Sequence, residues 1–197
     1  NAVADALSGK ATPSGKLPDT VAYDIEDYPA NDNFGNELTN LYKEDIYVGY
    51  RYFETFAPEK VQFEFGFGLS YTTFDIETVS ADADDEKITL EVKVTNTGDK
   101  FSGKEVVQVY YSAPDGIMEK PTQELAGFAK TKLLAPGEKD VVTITFATTD
   151  MASFDAYDAA WVMEEGEYTI RVGNSSRNTE AVAVIDLDEQ VTTLQLK

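Results

Sequence analysis

The chain has 197 residues, with 16 basic and 36 acidic side chains and a formal net charge of −20. Such a field repels phosphate backbones and anionic headgroups, so neither nucleic acid nor a membrane surface is an expected partner. It contains no cysteine and no histidine, which excludes disulfide frameworks, thiolate nucleophiles, histidine triads and Cys/His zinc sites within the chain.

At its start, Asn1-Ala-Val-Ala-Asp5 lacks the basic residues and long apolar centre of a signal peptide, and no apolar run approaches the ~20 residues of a membrane span. The chain does not begin with Met, the expectation for a processed or excised piece. Absence of cysteine fits a cytoplasmic and a secreted protein equally. Residues 2–7 are strong helix formers followed by Gly9, which predicts a short helix ending there. Pro13, Gly15 and Pro18 then impose turns and extended backbone, and the polar stretch from Asp24 to Asn40 reads as loop. Nothing in residues 1–40 buries enough apolar surface to fold alone.

Eleven of the 22 tyrosines and phenylalanines fall between Tyr42 and Phe74. This run ends in Phe63-Glu-Phe-Gly-Phe-Gly-Leu-Ser-Tyr-Thr-Thr-Phe74, where Gly66 and Gly68 alternate with bulky rings. Glycines so placed suit a backbone that bends sharply or approaches another surface closely while its rings anchor it. The phrase is no nucleotide loop, because the third glycine and the βαβ surroundings are missing.

From Phe74 onward the apolar period becomes two. Ile88, Leu90, Val92 and Val94 form one inward stripe, Val142, Ile144 and Phe146 a second, and Tyr168, Ile170 and Val172 a third. Further strands are expected at 74–79, 105–112, 124–133, 160–163 and 181–187, giving seven or eight in all. Turn signals stand at Asn96-Thr-Gly98, Pro114-Asp-Gly116, Pro136-Gly137 and Glu165-Gly166. Short alternating strands without intervening helices predict a mainly β, two-sheet antiparallel sandwich.

Several clusters invite a chemical reading. Glu44 and Asp45 lie among aromatic rings that could raise a carboxyl pKa, but the plainer reading has them flanking a linker and pairing with Lys43 or Arg51. Arg51, between Tyr50 and Tyr52, is placed either to stack on rings or to clamp a carboxylate of a neighbouring domain. The acidic run Asp82-Ala-Asp-Asp-Glu86 lacks the spacing and glycine of a calcium loop and reads as a solvated turn. Asn174-Ser-Ser176 fits a glycosylation sequon. Trp161, Tyr157, Tyr110 and Tyr111 could present flat rings to pyranose faces, although such residues on strands more often fill a core.

Three phrases in order resemble glycoside hydrolase family 3, the family of many β-glucosidases. They are Pro13-Ser-Gly-Lys-Leu-Pro-Asp-Thr20, Tyr42-Lys-Glu-Asp-Ile-Tyr-Val-Gly-Tyr-Arg-Tyr-Phe53 and the aromatic phrase ending at Phe74. Downstream, Lys120-Pro-Thr-Gln-Glu-Leu-Ala-Gly-Phe128, Leu134-Ala-Pro-Gly-Glu138 and Glu165-Gly-Glu-Tyr-Thr-Ile-Arg-Val-Gly173 resemble the family's later strands. Thr12, Asp45 and Glu64 depart from it, standing where Asn, Gly and Pro are usual.

The resemblance implies that residues 1–40 close an α/β sandwich catalytic domain, 41–73 form an extended aromatic linker and 74–197 form a fibronectin type III-like sandwich. It implies retaining hydrolysis of β-glucosidic bonds by the whole enzyme, with β-glucosides or cello-oligosaccharides as substrates. The family's Ser-Asp-Trp nucleophile phrase is absent and its acid/base glutamate lies upstream, so no catalytic residue is expected here. No cofactor or metal is called for. The expected role is a structural brace for the catalytic domains of the same enzyme, with Tyr47, Tyr50, Arg51, Tyr52, Phe53, Phe65, Phe67 and Tyr71 packing between domains. The alternative is a stand-alone carbohydrate-binding or adhesion module.

Overall fold

In a computed structural model, residues 1–35 and 37–196 are described. Helix α1 (Ala2–Leu7) ends as its sequence predicts: the Gly9 amide donates to the Ala6 carbonyl at 3.0 Å, and Gly9 has φ +75°, a conformation that costs glycine little. Two short strands, β1 (Val21–Ala22) and β2 (Val61–Phe63), pair antiparallel and tie the end of the N-terminal segment to the aromatic stretch. Between them the chain makes 3-10 turns at Ile25–Asp27, Asn31–Asn33 and Pro58–Lys60.

The aromatic linker is not extended throughout. It contains helix α2 (Tyr50–Phe56), which buries Phe53 in a small cluster with Ala22, Ala57 and Val61, flanked by Tyr28 and Tyr52. Aromatic residues are poor intrinsic helix formers, so the helix draws its stability from this burial and from contacts described below. Asp45, where the family resemblance expects glycine, has φ +49°, a left-handed conformation that Asp tolerates better than most residues.

The sandwich follows. One sheet has the order β3-β4-β7, from β3 (Phe74–Ala83), β4 (Lys87–Asn96) and β7 (Lys139–Ala147). The second has the order β11-β10-β5-β6, from β5 (Val106–Ser112), β6 (Glu124–Lys130), β10 (Gly166–Gly173) and β11 (Thr179–Leu187). A smaller sheet, β12-β9-β8, adds β8 (Ser153–Asp155), β9 (Ala160–Met163) and β12 (Val191–Gln195). Every pairing is antiparallel. All eight expected strands form; β8 and β12 were not expected, because β8 has three residues and β12 is mostly exposed.

The three stripes read from the sequence meet in one core. Leu90, Val92 and Val94 of β4 face Val107 and Val109 of β5 and Tyr168 and Ile170 of β10, all fully buried. Each such aliphatic side chain contributes roughly 1.5–3 kcal/mol of burial free energy. Strand β5 does not alternate, and its five central residues are all buried. Val107, Val109 and Tyr111 belong to the core, whereas Gln108 and Tyr110 point the other way and are covered by the aromatic linker. A strand buried on both faces loses the polar half of its pattern.

Candidate interdomain packing site

The linker lies across the outer face of β5 and β6. Tyr50 stacks on Phe65 with ring centroids 4.7 Å apart and meets the buried Tyr110 edge-on at 6.1 Å. Its hydroxyl oxygen accepts the Leu125 amide proton at 2.8 Å. Burial raises the Tyr50 pKa against the opposing pull of that hydrogen bond and of Arg51. One turn on, the Thr55 hydroxyl accepts from the Thr122 amide at 3.0 Å. Helix α2 thus supplies the acceptors that the start of β6 lacks in its own sheet.

Charged groups fix the same docking. Arg51 reaches Glu124 at 2.7 Å, and Glu124 also accepts from the Tyr111 hydroxyl at 3.0 Å. Of the two roles open to Arg51, it takes the carboxylate clamp, with a partner on β6; pairing with Glu44 or Asp45 is not observed. Glu54 accepts from Arg177 Nε at 3.0 Å and from the Ser176 hydroxyl at 3.1 Å, while Arg177 also donates to the Pro58 carbonyl. The glycine phrase makes the close approach its composition suggests: Gly66 (φ +79°) lies against the Gln108 amide, leaving no room for a Cβ.

Of the eight residues singled out, Tyr50, Arg51 and Phe65 engage the sandwich. Phe53 and Tyr52 pack together at 5.3 Å, with Phe53 edge-on to Tyr28, so they serve the junction with the N-terminal segment. The Phe67 carbonyl accepts from the Leu17 amide, and the Tyr71 hydroxyl donates to the Ala6 carbonyl at 2.7 Å. Tyr47 meets Phe56 at 4.7 Å, and its pKa is raised by burial and by the charges of Glu119 and Asp45. Sequence reasoning missed Glu54, Thr55, Gln108 and Arg177; the non-alternating pattern of β5, with apolar residues on both of its faces, was the signal that something covers its second face.

Other candidates resolve locally. Tyr110 and Tyr111 are buried and so cannot serve as sugar platforms, whereas Trp161 and Tyr157 are exposed. Asp84 accepts from the Lys87 and Glu86 amides, which hold its carboxyl below the usual range in an Asx-type turn. No cluster of three or more metal-ligating groups exists among the described residues. The Asn174 side chain of the sequon donates to Glu105 at 3.1 Å.

A second surface spans the N-terminal segment and the start of the linker. Phe34 (91% exposed), Tyr42 (85%) and Ile25 (70%) stand in water with Tyr23, Leu41 and Val48. This density of exposed large apolar side chains marks a contact surface.

Residues 1–50 match the model of the glycosyl hydrolase family 3 C-terminal domain, and residues 105–176 match the fibronectin type III-like domain. The chain is a C-terminal region of glycoside hydrolase family 3. A β-glucosidase of Ruminococcus albus is 46% identical over 196 residues, covering 97% of this chain and 20% of the relative. The crystal structure of a β-glucosidase from Paenibacillus barengoltzii superposes with a TM-score of 0.97 at 53% identity, covering 100% of this chain and 23% of that one. A Kluyveromyces marxianus β-glucosidase solved in complex with glucose gives a TM-score of 0.91 at 42% identity, covering 97% and 23%. This family 3 region therefore spans about a fifth to a quarter of its relatives' length.

Proposed function

We propose that the chain is the non-catalytic brace of a retaining β-glucosidase acting on β-glucosides or cello-oligosaccharides. In this reading residues 1–40 close the α/β sandwich catalytic domain, 41–73 link, and 74–197 form the fibronectin type III-like domain. Tyr47, Tyr50, Arg51, Tyr52, Phe53, Phe65, Phe67 and Tyr71 hold the linker so that the apolar surface of the N-terminal segment meets the catalytic domains in one fixed orientation. An active site shared between domains depends on such positional precision.

The exposure of Phe34, Tyr42 and Ile25 carries this reading. A free-standing module would leave these side chains in water, whereas the relatives have three to four further chain lengths with which to cover them. The test compares hydrolysis of an aryl β-glucoside by the 197-residue chain and by the full polypeptide that carries it. Turnover by the full polypeptide alone is expected; turnover by the chain alone overturns the assignment of both catalytic carboxylates to other segments.

A further inference from the structure

We propose that the groove between the linker, the loop at residues 113–121 and the β8–β9 hairpin binds a neutral oligosaccharide, with Trp161 and Phe154 as its ring platform. The groove has a volume of about 690 Å³ and is lined by these two rings and by Arg51, Glu119, Glu124 and Asp155. Phe154 and Trp161 are register partners on β8 and β9, their centroids 5.5 Å apart and their planes inclined by 55°. They are 45% and 41% exposed. The sequence left open whether Trp161 fills the core or faces outward; it faces the groove.

The polar lining suits hydroxyl groups better than charges. Glu124 is already engaged at both oxygens, by Arg51 at 2.7 Å and Tyr111 at 3.0 Å. One oxygen of Asp155 accepts the amides of Tyr157 at 2.8 Å and Asp158 at 3.2 Å. These carboxylates are fixed in place and partly compensated, yet each Glu124 oxygen has a second lone pair, and Asp155 its other oxygen, to offer a sugar hydroxyl. A pyranose complements such a surface, since its C–H face lies on the rings and its equatorial hydroxyls reach the carboxylates and guanidinium at the edge. Anionic saccharides are opposed by Glu119, Glu124 and Asp155 and by the net charge of −20. The platform is independent of the bracing role and stands whether or not the whole polypeptide hydrolyses glucosides.

Trp161 is the chain's single tryptophan; its fluorescence reports on this groove and on the cleft it lines with Thr193 and Leu194, and the Phe154 variants assign the response to the groove. The 197-residue chain is titrated with cellotetraose, maltotetraose, an oligogalacturonate and oligolysine. A saturable emission change with at least one neutral sugar, and none with oligogalacturonate, is expected. Phe154→Ala raises the Kd by roughly tenfold, and Phe154→Leu, which keeps apolar volume but removes the flat ring, raises it as well. Tyr157→Ala, at a 96% exposed position outside the groove, leaves it unchanged. No saturable change with either neutral sugar at its solubility limit overturns the proposal, as does a Kd indifferent to both Phe154 variants. Saturation by oligolysine alone also overturns it and assigns the groove to a basic peptide.

Discussion

Lys16 Nζ lies 2.9 Å from Glu105 Oε1, with the two side chains only 15% and 10% exposed. Glu105 also accepts from its neighbour's amide, Val106, at 2.7 Å and from Asn174 Nδ2 at 3.1 Å. One carboxylate thereby joins the N-terminal segment, the entry to β5 and the β10–β11 turn. Glu105→Ala leaves a nearly buried ammonium without its partner and is expected to cost about 3–5 kcal/mol in chemical denaturation. Lys16→Ala costs less, since Glu105 keeps its two other donors. Equal losses from the two variants would refute this ranking.

Glu164 sets an acid limit. Its desolvation favours the neutral acid, but Lys120 and the amides of Ile117 and Met118 outweigh that and lower its pKa from 4.5. The folded state therefore holds the carboxylate more strongly than the unfolded chain does. Its contribution is complete above the unfolded value and is lost as pH falls through the folded one. Stability should decline below about pH 4.5. Glu164→Gln should remove part of that slope and cost about 3 kcal/mol at neutral pH by stranding Lys120. Denaturant midpoints measured across the acid range test both.

The alkaline side is governed by buried phenols. Burial pushes Tyr168 up to about 12 and raises Tyr110 and Tyr111 further. Folding stability from these groups is fully present below the unfolded value of 10.0 and is lost as pH rises towards the folded ones. Phenolate absorbance should thus show a late step that coincides with loss of circular dichroism. A single smooth titration completed before unfolding would contradict the burial of these three rings.

The sandwich was legible because each stripe such as Ile88, Leu90, Val92 and Val94 has one buried face, and a half-buried strand writes its period into the sequence. Helix α2 was not legible, since Tyr50, Tyr52, Phe53 and Phe56 have weak helix propensity and the structure is imposed by partners distant in the chain. Thr122 and Leu125, whose amides α2 accepts, lie 67 and 75 residues from their partners Thr55 and Tyr50. The aromatic phrase announced a packing surface without saying against what. Only the non-alternating Val-Val-Gln-Val-Tyr-Tyr of β5 held the complementary half of that information.

Tyr50→Phe removes one oxygen and keeps the ring stack on Phe65. The Leu125 amide then has no acceptor in a partly buried position, a loss of about 1–3 kcal/mol. Hydrogen exchange at Leu125 should accelerate while amides of β4 keep their protection, because the sandwich core does not include this contact. Unchanged exchange at Leu125 would show that the hydroxyl does not hold linker to sheet.

Gly66→Ala tests the closest approach of the linker to the sandwich. At φ +79° an L side chain is strained, and its Cβ would overlap the Gln108 amide. Gln108 cannot withdraw freely, since it donates to the Asn174 carbonyl at 2.7 Å and accepts from the Tyr110 hydroxyl. Backbone strain alone costs about 1–3 kcal/mol, and displacing Gln108 adds the loss of a buried hydrogen bond. The linker should therefore lift from β5 in this variant, exposing Tyr110 to solvent. Limited proteolysis should cut within residues 60–70 of the variant under conditions where the parent chain resists, and Gln108→Ala in the same background should restore part of that resistance by removing the clash. A doubly substituted chain no more resistant than Gly66→Ala alone would place the whole cost in the backbone rather than in the contact with Gln108.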